Sequence, residues 1–189
     1  KASPNICRAD NYDMLMDNPI EVGKHRTWEF EASGKPHPIA LFGDGNYETE
    51  SLTRDIGKIV EAATDIFGDN PTQRYTFIIH NLSRGGGGLE HANSCVMQVN
   101  RWTYQPERNY KSFLGLVAHE YFHVWMVKRL KPQNFVNFDY TRENYTDLLW
   151  VMEGFTDYYE SIILKKAGII DEREFISNVL RSFKTLQNQ

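Results

Sequence analysis

The chain has 189 residues and a net charge of −4, a length that suits one domain or two small lobes sharing a cleft. An apolar share of 41% with 13% aromatic residues excludes a disordered chain. The negative balance leaves no electrostatic footprint for nucleic acid, and no run approaches the ~20 apolar residues of a membrane span.

Residues 1–24 read as loop, with turn signals at Asp17-Asn18-Pro19 and Gly23. Arg26–Ala32 and His37–Phe42 read as strands joined through Ser33-Gly34-Lys35-Pro36. From Thr49 to Phe67, the residues Leu52, Ile56, Ile59, Val60, Ala63, Ile66 and Phe67 recur at helical spacing, and Gly68-Asp69-Asn70-Pro71 stops that helix. Tyr75–His80 is a β-branched and aromatic strand, and Ser94–Val99 is another beyond a glycine-rich loop. That loop is no phosphate cradle, because neither Gly-Lys-Ser/Thr nor a helix follows it. Asn109 caps a helix expected to reach about Leu130, where Lys128, Arg129 and Lys131 suit its negative end and Pro132 stops it. Residues 132–145 form a long loop. A second helix runs from about Thr146 to Lys166, where Gly168 stops it. Asp171 caps a last helix carrying Phe175, Ile176, Val179, Leu180, Phe183 and Leu186. Strands first and helices last predict an α+β fold rather than a doubly wound sheet. Cys7 and Cys95 lie in no metal-ligand spacing; they either pair or pack as free thiols, and two buried free thiols are the expectation. His25, His37 and His80 have no partner spacing and are expected to be structural or exposed.

Ala118-His119-Glu120-Tyr121-Phe122-His123-Val124-Trp125 reads H-E-x-x-H inside an apolar run. Ionisable groups on a buried helix are costly unless something satisfies them. Four helical residues turn ~400°, so His119 and His123 share one face, one turn apart. Two imidazoles so placed hold one metal ion, and zinc accepts neutral histidine nitrogen readily. Glu120, about 100° round the helix, sits where a general base for an attacking water belongs. A third ligand is expected from Trp150-Val151-Met152-Glu153-Gly154-Phe155-Thr156-Asp157. There Leu148, Met152, Phe155, Tyr159 and Ile162 mark a helical face expected to be buried, with Glu153 and Asp157 beside it. Glu153 is the expected ligand, and Asp157 the acceptor for the far N–H of a ligating histidine.

Taken in order, His119-Glu120-x-x-His123, Val127-Lys128-Arg129-Leu130-Lys131-Pro132 and Leu149-Trp150-x-x-Glu153-Gly154-Phe155-Thr156 resemble the glycyl aminopeptidase family. These are zinc metallopeptidases of the gluzincin group, usually with a PDZ domain downstream. Gly86-Gly87-Gly88-Leu89-Glu90-His91 matches as well, and the likeness extends from Tyr12-x-x-Leu15-x-Asp17-x-Pro19 onward. The resemblance implies a thermolysin-like zincin: a small mixed-sheet lobe, then a helical lobe, with the zinc site in the cleft between them. It implies that residues 1–24 lead in from an upstream β-rich domain and that residues 25–189 belong to a catalytic domain continuing further. The chain begins at a lysine and is read as a segment of a longer protein.

By the same resemblance the glycine-rich segment lines the substrate cleft, through Gly87, Gly88, Glu90 and His91. Glycines let a peptide approach a strand edge, and Glu90 is placed to hold a substrate α-ammonium. His91 has no fixed role. Related gluzincins stabilise the oxyanion with Tyr or His, which makes Tyr140 and Tyr145 candidates, each weighed against plain surface packing. The expected function is therefore a zinc aminopeptidase, with one Zn²⁺ per chain, acting on peptides with small amino-terminal residues. The alternatives are a zinc endopeptidase and a binding module whose zinc is only structural.

Overall fold

The computed structural model describes residues 6–188; residues 1–5 of the expected entry segment and residue 189 lie outside it. The fold is α+β. A short helix α1 (Tyr12–Met16) precedes β1 (Arg26–Ala32) and β2 (Lys35–Phe42), then α2 (Thr49–Phe67) and β3 (Thr76–Leu82). β4 (Gly88–Glu90) and β5 (Ser94–Asn100) complete the sheet, followed by α3 (Glu107–Phe122), α4 (Leu149–Lys166) and α5 (Glu172–Gln187). Sheet order is β1-β2-β3-β5-β4, with antiparallel outer pairs and parallel inner ones. No helix of the described residues is long and apolar enough to cross a membrane.

Local chemistry explains these elements. Ser33 and Gly34 both have positive φ, which a two-residue type I′ hairpin requires. The turn therefore uses only those two residues, and β2 starts at Lys35, two residues before the expected strand. Pro36 and Pro38 are tolerated because β2 pairs with β3 only from Ile39 onward. Glu48 caps α2 by accepting from the Glu50 and Ser51 N–H groups, and Gly68 ends it at φ 75°. Leu52, Ile56, Ile59, Val60 and Ala63 of α2 are buried as their spacing predicts. They meet Phe77 and Ile79 of β3, Cys95 and Met97 of β5, and Phe113, Leu114 and Val117 of α3 in one core.

Five expectations need correction. Residues 1–24 are not all loop, because Asn11 caps α1. β4 was not foreseen, since three residues carry no readable alternation. α3 starts at Glu107 behind Pro106 and ends at Phe122, eight residues short of Leu130. Val124 and Trp125 are buried all the same, so the apolar run continues through a buried turn, which periodicity cannot separate from a helix. α4 buries Met152, Thr156, Ser161, Ile163 and Leu164, while Leu148 and Phe155 are exposed. Its inward face is thus rotated from the predicted stripe. Both cysteines are free, but only Cys95 is buried, because Cys7 precedes the core.

The helix carrying H-E-x-x-H is fixed to the sheet by a buried polar chain. Asn70 Nδ2 donates to the Tyr121 hydroxyl at 2.9 Å, and that hydroxyl lies 3.4 Å from His37 Nε2. His37 Nδ1 in turn lies 2.9 Å from the Lys35 carbonyl. Asn70 Oδ1 accepts from the Thr72 N–H and hydroxyl. In the neutral ring that burial favours, Nδ1–H donates to the Lys35 carbonyl and Nε2 accepts from the Tyr121 hydroxyl. Burial pushes His37 below the ordinary histidine value of 6.5, outweighing the Lys35 carbonyl and Glu29.

Two outcomes follow. Tyr121→Phe keeps the ring and strands two buried polar groups, so urea unfolding should show a loss of about 1–3 kcal/mol. The unfolded chain takes up a proton at His37 before the folded one does. The contribution of His37 to stability should therefore be full above pH 6.5 and decline as pH falls below it; the difference in denaturation midpoint between the parent and His37→Gln, followed from pH 7.5 to 5, measures this.

Candidate metal centre

His119 stands in the last turn of α3, and His123 is its C-cap residue. The His123 N–H still reaches the His119 carbonyl at 3.4 Å, so the two rings keep helical spacing, their centroids 4.8 Å apart. After His123 the chain turns tightly. Val127 takes a φ of 76°, a costly conformation for a β-branched residue. This turn brings the Met126 carbonyl to 3.2 Å from His123 Nδ1. Asp157 Oδ1 lies 3.1 Å from His119 Nδ1. Each ring thus has an acceptor at Nδ1 and presents Nε2 on its other side.

Both Nε2 atoms face the same oxygen. Glu153 Oε2 of α4 lies 3.3 Å from His119 Nε2 and 3.7 Å from His123 Nε2. With Nδ1 protonated, each Nε2 carries a lone pair, and a carboxylate only accepts. Three lone-pair atoms therefore converge with no proton between them. Burial holds His123 below the ordinary imidazole range, so its Nε2 is kept as a lone pair. A cation relieves the conflict. Tetrahedral zinc with bonds of about 2.0–2.1 Å needs ligand atoms ~3.4 Å apart, close to the spacing found. The residues present fit a zinc ion.

Glu120 lies beside this triad, buried, with Oε2 lacking any hydrogen-bond partner. Burial, then the Glu90 and Glu153 carboxylates, push it up to about 8. Glu90, Glu120 and His123 also bring ligand atoms within 4.8 Å of one another. The sheet delivers Glu90. Side chains alternate along β4, so Gly88 and Glu90 share one face and Leu89 takes the other, where it is exposed. A Cβ on Gly88 would overlap the Glu120 carboxylate, so only glycine lets the strand lie against that group. β4 is an edge strand. Gln98 N–H bonds the Gly87 carbonyl, and His91 N–H bonds the Ser94 carbonyl. By alternation the main-chain groups of Gly88 and Glu90 face the open edge.

The other sequence candidates fall elsewhere. The His91 ring is buried with Nδ1 3.3 Å from Asp17 Oδ1. Tyr140 donates to Asp13 of α1, and the Tyr145 ring is largely exposed; neither tyrosine is brought to the triad. Sequence reasoning missed Asp17 as a brace, though it stood in the Tyr12-x-x-Leu15-x-Asp17 match. It accepts from Lys128 Nζ at 2.7 Å and from the Ala92 N–H at 2.8 Å. The turn after β4 is thereby tied to the loop after His123. Burial alone would raise Asp17; hydrogen bonds from His91, Lys128 and Ala92 and the Lys128 charge overcome it and pull the carboxyl down to about 2.

Gly88→Ala should displace the Glu120 carboxylate while leaving the sheet paired. A crystal structure of the variant should show a changed Glu120 side-chain conformation over an unmoved β4 backbone.

The chain is similar to known proteins. Residues 112–189 match the family model described as M61 glycyl aminopeptidase. No curated protein matches the chain. Among solved structures, it is similar to an aminopeptidase N family protein from Idiomarina loihiensis, at 40% identity and a TM-score of 0.83. The match covers 88% of this chain and 30% of that one, so the chain spans under a third of that protein's length. The matched residues 112–189 carry His119, His123 and Glu153, so the part of the chain that holds the His-His-Glu triad is the part similar to the M61 glycyl aminopeptidase family.

Proposed function

We propose that the chain is the core of a zinc metallopeptidase, and within that class an aminopeptidase. The observation that carries this reading is the convergence of His119 Nε2, His123 Nε2 and Glu153 Oε2 beside the unpartnered oxygen of Glu120. His119, His123 and Glu153 hold one Zn²⁺ per chain, and Asp157 fixes the His119 tautomer. Zinc bound there supplies a Lewis acid for water and for the scissile carbonyl.

The chain's own residues do the rest. The open edge of β4 takes up the substrate backbone as an added strand through Gly88 and Glu90, with Gly87 shaping the approach. Glu90 pairs with the free α-ammonium and so places the first peptide bond at the centre. Glu120, ionised once the charge of a bound cation offsets the burial and carboxylates that raise it, accepts the proton of the attacking water at Oε2 and passes it to the leaving amine. His91 braces this strand through Asp17. Tyr140 donates to Asp13 and Tyr145 is exposed, so neither is assigned as donor to the carbonyl oxygen. Residues 25–189 belong to the catalytic domain, between an upstream β-rich domain and a downstream PDZ domain. Small amino-terminal residues such as glycine are the proposed substrates. A purely structural zinc would give no reason for an unpartnered carboxylate beside the metal.

Two measurements on the whole protein test this. Glu120→Gln should retain zinc by elemental analysis and lose hydrolysis; parent-rate cleavage would refute the mechanism. Free-amine peptides should be cleaved at least tenfold faster than acetylated ones, since a partly buried charge pair is worth ~1.5–3 kcal/mol. Equal rates would make the enzyme an endopeptidase.

A further inference from the structure

Gly115 lies in α3 one turn before His119, on the same face. A Cβ there would come within 2.5 Å of Glu160 Oε1. Glycine is a poor residue for a helix interior, and this one has a specific neighbour: the Glu160 carboxylate of α4 rests in the gap it leaves. Seated there, Glu160 Oε2 lies 3.8 Å from His119 Nδ1. Asp157 Oδ1 is nearer, at 3.1 Å, but its side chain is 72% exposed. Water competes for an exposed carboxylate and weakens its hold. Glu160 is 30% exposed, so its field at the ring N–H is less screened. His119, Asp157 and Glu160 form a compact group, with the second carboxylate beneath the first.

We infer that Glu160, seated in the gap at Gly115, is a positioning residue for His119. It backs Asp157 in holding the Nδ1–H, and so keeps Nε2 aimed at Glu153. The inference rests on the zinc reading above and adds two residues to it that touch neither metal nor substrate. It also gives Gly115 a role: this glycine is a vacancy kept for a carboxylate, and filling it costs zinc affinity although it favours the helix.

The test is a four-protein cycle of parent, Gly115→Ala, Glu160→Ala and the double variant. Zinc dissociation constants are read by competition with a chromophoric chelator, and thermal midpoints are read on the metal-free proteins. Both substitutions should fold, because Ala suits a helix and the only close neighbour of the added methyl is a side-chain end. Glu160→Ala should weaken zinc binding about tenfold or more, the scale for loss of an orienting partner. Gly115→Ala should also weaken it in the parent, yet change it less than twofold in the Glu160→Ala background while raising the metal-free midpoint. The visible spectrum of the cobalt-loaded Glu160→Ala variant should shift, which a merely structural role would not produce. Parent-like zinc affinity in Glu160→Ala, or an equal loss from Gly115→Ala in both backgrounds, overturns the inference. A parent that binds no zinc refutes the underlying metal reading instead.

Discussion

Three lone-pair atoms, two imidazole nitrogens and one carboxylate oxygen, are held face to face in a partly buried cleft. Each is a hydrogen-bond acceptor in the neutral Nδ1–H tautomer, and the three offer one another no donor. The rest of the architecture follows from sustaining that unfavourable meeting. α3 supplies the two rings at helical spacing, α4 supplies the opposing carboxylate, and the core between sheet, α2 and α3 keeps the helices from parting. A cation turns the repulsion into attraction, which is why metal binding and local stability are coupled at such a site.

Two polar clusters near that meeting point are paired internally. The His37–Tyr121–Asn70 chain is closed within the core, and Asp17 is saturated by Lys128, His91 and Ala92. Glu120 is the contrast: it lies among the same helices, buried, with one oxygen unpartnered. The strand opposite it has no side chain at Gly88, so the carboxylate and the open sheet edge meet in one narrow space. A peptide taken up along that edge would lie beside the group proposed to move its proton.

The sequence makes some of this legible and hides the rest, for physical reasons. His119, Glu120 and His123 can be placed because helix geometry is rigid over one turn, and Glu153 can be anticipated because it heads a motif on a second helix. α2 is readable because its buried face is complete within the chain. Helix α3 was overextended because Val124 and Trp125 stay apolar in a buried turn. The inward face of α4 was misjudged because apolar residues on its outer side, such as Phe155, have the same spacing as core residues. Asp17, Gly115 and Glu160 were invisible as site residues, because each acts through a partner far along the chain.

The central claim is that one cation belongs between α3 and α4. Diffraction from crystals of the zinc-loaded protein, recorded on both sides of the zinc absorption edge, tests it most directly. The account predicts one strong anomalous peak within about 2.0–2.2 Å of His119 Nε2, His123 Nε2 and a Glu153 oxygen. No peak there, or a peak bound instead through Glu120, would contradict it.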